Sequence, residues 1–249
     1  MAWHTTYNPS DVEKGLQALA LGRVLLRGNV AIGATTVTVG VGAAGTAGAS
    51  DGCGLFRDTV TAAMLVQPNA AGTAIEDSED VTIVNPSDSV INLTLTAPTT
   101  KAFTTARNAY ITPKVLPTEV AALKVVDREP ELMDDLTDLP LPSIHIRWLG
   151  DQCQHDDSQT EWLHRFRLRY IRQPSPGEAS TVLLTKVQQI VNLLQEDEHW
   201  GGWVDAAWLR SVSPTPRPMN MIGLKGGPDL WLEWVDILLE ARLEMTWKG

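Results

Sequence analysis

The stretch Trp162-Leu163-His164-Arg165-Phe166-Arg167-Leu168-Arg169-Tyr170-Ile171-Arg172 decides the fold. Phe166, Leu168 and Tyr170 alternate with Arg165, Arg167 and Arg169. In an extended strand, that period of two gives one apolar and one charged face. A helix would scatter both classes around its surface. The chain therefore holds a strand with an apolar side to bury and an arginine side to present. The next segment supplies a cover. Leu183, Val187, Ile190, Val191 and Leu194 recur at three- and four-residue spacing, which predicts a helix over residues 179–195.

Further along, residues 206–212 read as a strand. Residues 213–227 are rich in Pro and Gly and read either as an arm reaching a neighbour or as a local surface loop. In the last segment, Glu233, Asp236, Glu240 and Glu244 have a spacing that suits a helix. Leu239, Ala241, Leu243, Met245 and Trp247 alternate with polar neighbours, which favours one long bent strand or two shorter ones. Before the quoted strand, residues 144–148 alternate after Pro140-Leu141-Pro142, and residues 150–160 read as a polar, acidic loop. Residues 117–141 show no firm period.

The chain starts with a helix capped by Ser10 or Asp11, carrying Val12, Leu16, Leu19, Arg23 and Leu26 on one face. Its expected end is near Gly28-Asn29. From Gly33 the period becomes two. Strands are expected at residues 35–39, 60–66, 80–84 and 90–95, divided by turn formers such as Pro68-Asn69 and Asn85-Pro86. Glu76-Asp77-Ser78-Glu79-Asp80 reads as a solvated turn. The sequence thus predicts an α+β protein with a mixed or antiparallel sheet flanked by helices. Residues 1–28 and 112–249 would form the core domain, and residues 29–111 an inserted all-β module, a small barrel or sandwich.

Of the 249 residues, 43% are apolar, enough for a real core. Thirty acidic residues stand against twenty basic ones, a net charge of -10, the reverse of a free-standing nucleic-acid binder. Cys53 and Cys153 are too few for a disulfide scaffold, and no C-x-x-C occurs. No signal peptide and no membrane span are expected.

Chemistry-bearing motifs are scarce. Gly-x-Ser-x-Gly is absent. Gly223-Leu224-Lys225-Gly226-Gly227 lacks the Ser or Thr and the helix of a phosphate loop. His155-Asp156-Asp157 reads as a polar loop before it reads as a metal site. His145 and His164 sit on strands expected to pair, within reach of each other. No catalytic, cofactor-binding or metal residue emerges, and the chain is expected not to be an enzyme.

The order of elements resembles the tail terminator family of long-tailed bacteriophages and, more loosely, the neck proteins that share its fold. The resemblance runs through the N-terminal helix, the approach Leu139-Pro140-Leu141-Pro142-Ser143-Ile144-His145-Ile146, the long strand at 162–171, the helix at 181–194 and the strands at 206–212 and 239–247. The β module resembles an insert of some phage structural proteins, through Gly33-Ala34-Thr35-Thr36-Val37-Thr38-Val39, Phe56-Arg57-Asp58-Thr59-Val60, Asp80-Val81-Thr82-Ile83-Val84 and Leu93-Thr94-Leu95-Thr96-Ala97-Pro98. The resemblance implies a virion protein assembled in the host cytoplasm. It would form a homo-oligomeric ring, usually a hexamer, at the head-proximal end of the tail tube. There it would end tube polymerisation and join the tail to the neck or connector, with genomic DNA passing through its channel.

A ring needs a heterologous interface that closes. Arg165, Arg167, Arg169 and Arg172 read as one basic stripe, with the first three put forward as candidates for that interface, as against pairing with neighbouring acids or contacting DNA backbone. Trp200, Trp203, Trp208, Trp231 and Trp234 are candidates too, as against an ordinary tryptophan-rich core. The competing readings are a head-completion, stopper or adaptor protein near the portal, and a carbohydrate- or surface-binding β module. The scarcity of aromatic residues in residues 29–111 speaks against sugar stacking.

Overall fold

In the computed structural model the quoted strand runs from Gln159 to Arg172. The structure describes residues 9–39, 54–56, 61–84, 92–128, 140–155, 159–175, 178, 180–196, 200, 204, 206–221 and 230–246. The elements are α1 (Pro9–Ala20), β1 (Val24–Leu25), β2 (Thr36–Thr38), β3 (Ala62–Pro68), β4 (Ile75–Thr82), β5 (Asn92–Thr94) and β6 (Tyr110–Pro113). They continue with α2 (Thr118–Ala122), β7 (Val125–Arg128), β8 (Ser143–His155), β9 (Gln159–Arg172), α3 (Ser180–Glu196), β10 (Ala206–Met221) and β11 (Leu230–Thr246). The protein is α+β.

Five strands form the main sheet in the order β10-β11-β9-β8-β7, antiparallel except for the parallel pair β7–β8. Phe166, Leu168 and Tyr170 of β9 lie buried beside Ile144 and Ile146 of β8 and Val235, Ile237 and Leu239 of β11. Helices α1 and α3 pack together and against this sheet, α1 on β7 and β8, α3 on β10 and β11. The expected helix face, Leu183, Val187, Ile190, Val191 and Leu194, is wholly buried. Truncating a buried side chain of the sheet beneath it, as in Leu168→Ala on β9, costs about 2–5 kcal/mol.

The expected barrel or sandwich in residues 29–111 is not what forms. The strands there make an open four-stranded antiparallel sheet, β1-β6-β3-β4, and a separate two-stranded ladder, β2-β5. No described sheet is closed or curled. The physical reason lies at the edges. One edge is β1, two residues long and contributed by the chain just after α1. The other is β4, whose Glu76-Asp77-Ser78-Glu79-Asp80 stays largely in water. Closure would strip water from those carboxylates. They pair instead with Arg107, Lys101 and Lys114. The acidic run is thus an edge strand rather than a turn, and its charge suits an edge.

Other boundaries also moved. α1 ends at Ala20, not near residue 27. Gly22, at φ +66, closes it in a Schellman arrangement, with Arg23 N–H donating to the Ala18 carbonyl at 2.9 Å and Gly22 N–H to that of Leu19 at 2.8 Å. β8 runs on to His155 through what read as a loop, with a bulge between Trp148 and Gly150. β10 runs on to Met221 through the stretch that read as an arm or loop. No helix among the described residues is long and apolar enough to cross a membrane.

Candidate functional site

Alternation along β9 sends Arg165, Arg167 and Arg169 to the sheet face away from the helices. The register then chooses their neighbours, because residues directly opposite in an antiparallel pair share a face. Arg165 lies opposite Glu240, Arg167 opposite Leu238 and Arg169 opposite Asp236 on β11. On the β8 side, Arg167 meets Arg147 and Arg169 meets His145.

These positions produce a ladder of ion pairs. The Arg169 fork donates to both Asp236 oxygens, Nε to Oδ1 at 2.7 Å and Nη2 to Oδ2 at 2.9 Å. Both partners are mostly buried, their side chains 18% and 20% exposed. Arg165 Nε donates to Glu240 Oε1 at 3.1 Å, and Arg210 of β10 donates to Glu240 Oε2. Glu240 is thus clamped between two exposed arginines. Arg147, opposite Arg167, is also exposed. The centre of this face therefore carries more arginine than carboxylate, in a chain whose overall charge is strongly negative.

Toward the 171 end the face becomes apolar. Ile171 and Leu232 are buried there, with Leu141 and Trp234 packed against them. Ser143 Oγ and His145 Nε2, also buried, lie 3.0 Å apart. Arg172 does not join the stripe it was read with: three positions from Arg169, it falls on the helix side of β9, is 4% exposed in its side chain and bridges Glu178 and Glu233, each at 2.8 Å. Burial works against its charge, but the hydrogen bonds to Glu178 and Glu233 outweigh it and hold its pKa above the ordinary arginine value. The Arg172 hydrogen bond, helped by the Ser175 N–H, in turn holds the Glu178 carboxyl below its ordinary value.

The tryptophans divide. Trp200 is a core residue, 1% exposed, with its ring edge-on to Phe166 at 5.6 Å between centroids. Trp208 is half-buried on β10, with the Arg210 guanidinium 5.3 Å from its ring centroid. Trp234 is half-buried in the apolar patch. Trp231 belongs to β11 by its backbone. Trp203 lies outside the described residues. The structure thus brings Arg165, Arg167, Arg169, Trp208 and Trp234 onto one face and sets Trp200 apart in the core.

His145 and His164 do not meet. His145 lies opposite Arg169, while His164 lies opposite Asp151 and reaches its Oδ1 through Nδ1 at 2.6 Å. Cys153 is exposed and unbridged, whereas Cys53 lies outside the described residues. Asp156 and Asp157 lie outside them too, as does the side chain of His155. Among the described residues no group of three or more His, Cys, Asp and Glu side chains is placed to hold a metal ion.

Sequence reading missed Asp236, Glu240, Arg147 and Arg210 as members of the face. The signal for the two acids was their even spacing from Leu238, which on a strand puts them on one side. Such a ladder can fix the orientation of a contact and favour an acidic partner, since charges set specificity more than raw affinity. No protein-family model matches the chain, and no curated protein matches it.

Proposed function

We propose that the chain is a non-enzymatic virion structural protein of the phage tail terminator class. It forms a ring, a hexamer in this reading, at the head-proximal end of the tail. It ends tail-tube polymerisation and joins tail to neck, and DNA passes through its channel. The observation that carries the reading is the element order around the main sheet. An N-terminal helix comes first, then the long strands β8 and β9, then the covering helix α3, and last the paired strands β10 and β11. That is the order the resemblance implied.

Two further observations support it. One face of the sheet is packed by helices while the other holds an ion-pair ladder with exposed arginines, a surface suited to a charged neighbour in a ring. The net charge of -10 suits a channel through which phosphate must slide without sticking.

Electron microscopy of tails and particles made with and without this protein tests the proposal. A ring of the chain at the head-proximal end of the tube, with overlong tubes in its absence, is the expected result. A ring beside the portal, with tubes of normal length, would make it a stopper or adaptor of the neck instead. Absence of any symmetric ring would sink both readings.

A further inference from the structure

A cleft of about 220 Å³ opens where the chain passes from β6 to α2, against the second half of α3, on a part of the molecule the ring reading does not use. Leu55 and Leu193, both buried, and Leu116 give it apolar walls. Pro113 and Pro117 border it in the connecting segment. A proline fixes φ and brings no N–H, so the two stiffen that wall without adding a donor. Val115 stands at the mouth, 86% exposed. Among the described residues no charged side chain lines the cleft.

Its polar side chains are two carboxamides, Gln189 and Asn192. Three positions apart on α3, they share a face of the helix. Gln189 Oε1 accepts the Glu119 backbone N–H at 2.9 Å. A backbone N–H can only donate, so this bond settles which end of the carboxamide is the oxygen. The Nε2 amino group keeps both its hydrogens to give. Asn192 Oδ1 accepts from Gln188 Nε2 at 2.6 Å, which leaves the Asn192 amino group to spare as well. Among the described residues neither amino group meets an acceptor.

Apolar walls, two donors and no charge select a ligand class. An ion entering the cleft would shed water and find no counter-charge. A purely apolar molecule would strip water from the amino groups and offer them nothing in return. A carbonyl oxygen has two lone pairs and can accept from both. The volume falls below the roughly 300–1,000 Å³ of ordinary small-molecule sites, which holds the ligand to about one ring. We propose that this cleft binds a small neutral ring compound bearing one carbonyl group, its oxygen on Gln189 Nε2 and Asn192 Nδ2 and its ring against Leu55, Leu116 and Leu193.

NMR of the full-length chain, labelled at leucine methyls and side-chain amides, tests this with three probes of one shape. Acetophenone carries the carbonyl, α-methylstyrene replaces its oxygen with a methylene, and benzoate replaces its methyl with a charged oxygen. Acetophenone is expected to shift the methyl signals of Leu55, Leu116 and Leu193 saturably and to move the Gln189 and Asn192 amide protons downfield. α-Methylstyrene is expected to leave those amide protons in place, and benzoate to give no saturable shift. Gln189→Glu keeps the oxygen that receives the Glu119 N–H and loses the donor. It is expected to lower the affinity for acetophenone relative to α-methylstyrene by about fivefold, the scale of one net hydrogen bond. Gln195→Ala, exposed on α3 and outside the lining, is expected to leave that ratio unchanged. A thermal melt of each variant checks the fold, and the wild-type readouts stand without either. Failure of acetophenone to saturate at the three leucines would overturn the assignment. So would benzoate binding as tightly as acetophenone, amide protons that stay in place at saturation, or an unchanged ratio in Gln189→Glu.

Discussion

Arg172 holds two carboxylates from inside the fold, and its removal would strand them. Breaking a buried pair by deleting one partner typically costs about 3–5 kcal/mol. Glu178 and Glu233 keep some water, at 15% and 20% side-chain exposure, so Arg172→Met is expected to cost nearer 2–4 kcal/mol by urea unfolding at pH 7. The same pair has a pH signature. Glu178 has its folded-state pKa below the ordinary 4.5. A carboxylate depressed by folding adds stability above its unfolded value, and that stability is lost as pH falls through the folded value. Stability is therefore expected to fall below about pH 4.5, and to fall less steeply in Arg172→Met. An equal slope in both proteins would remove Glu178 from the account. Tyr170 carries a second buried contact, donating its hydroxyl to Glu119, which also faces Lys186 Nζ at 3.3 Å. Tyr170→Phe keeps the ring and deletes the donor, for an expected loss of about 1.5–3 kcal/mol in the same assay. Arg165, Arg167 and Arg169 were legible as a stripe, since their alternation is local, but Arg172 was read into it and lies on the other face. The partners of the stripe were not legible. Asp236 and Glu240 are four apart, a spacing that puts them on one face of a helix and of a strand alike. Glu119 comes from a stretch without a firm period, 51 residues before Tyr170.

At the level of elements, α3 was legible because its period holds from Leu183 to Leu194, and β9 because Arg165–Tyr170 alternates without a break. The end of α1 was not. Leu21, Val24, Leu25 and Leu26 continue an apolar run that reads as more helix, yet β1 pairs with β6 far along the chain, Val24 opposite Ile111. Gly22 makes the turn possible. Its φ of +66 is costly for any residue with a Cβ, and a Cβ there would also run into Leu116. Gly22→Ala is expected to lose about 1–2 kcal/mol or more in thermal or urea unfolding. Adding Leu116→Ala should return the steric part and leave the dihedral part, so a fully additive double variant would contradict this account. β10 was under-read for the opposite reason. Pro214, Pro216 and Pro218 argue against a strand, but β10 is an edge of the main sheet, where missing N–H groups are tolerated. The register breaks between Thr215 and Met219, around two of them. Prolines there also blunt the edge against pairing with other chains. Pro216→Thr with Pro218→Thr is expected to raise non-specific aggregation, read by light scattering on mild heating, with little change in the secondary structure content.

For the whole molecule, the contrast between the net charge of -10 and the arginine face is the feature that assembly would use. In the proposed ring that face meets an acidic surface of the next copy, so the contact weakens with salt over the range where the Debye length shrinks below about 10 Å. One position separates assembly from folding. Arg147 and Arg167 lie directly opposite on β8 and β9, and like charges so placed destabilise a sheet. Arg147→Glu turns that repulsion into an attraction, which should raise the stability of the single chain by about 0.2–1 kcal/mol. The same change puts a negative charge where an acidic neighbour must dock, and should lower the ring fraction in light scattering coupled to size exclusion. Destabilised variants lose assembly trivially, whereas this one would lose it while gaining stability. A rise in stability with the ring fraction intact would place the contact between copies somewhere other than the arginine face. No change in either would mean that Arg147 and Arg167 already avoid each other through solvent, and that the ladder of Arg165, Arg169, Asp236 and Glu240 serves folding alone.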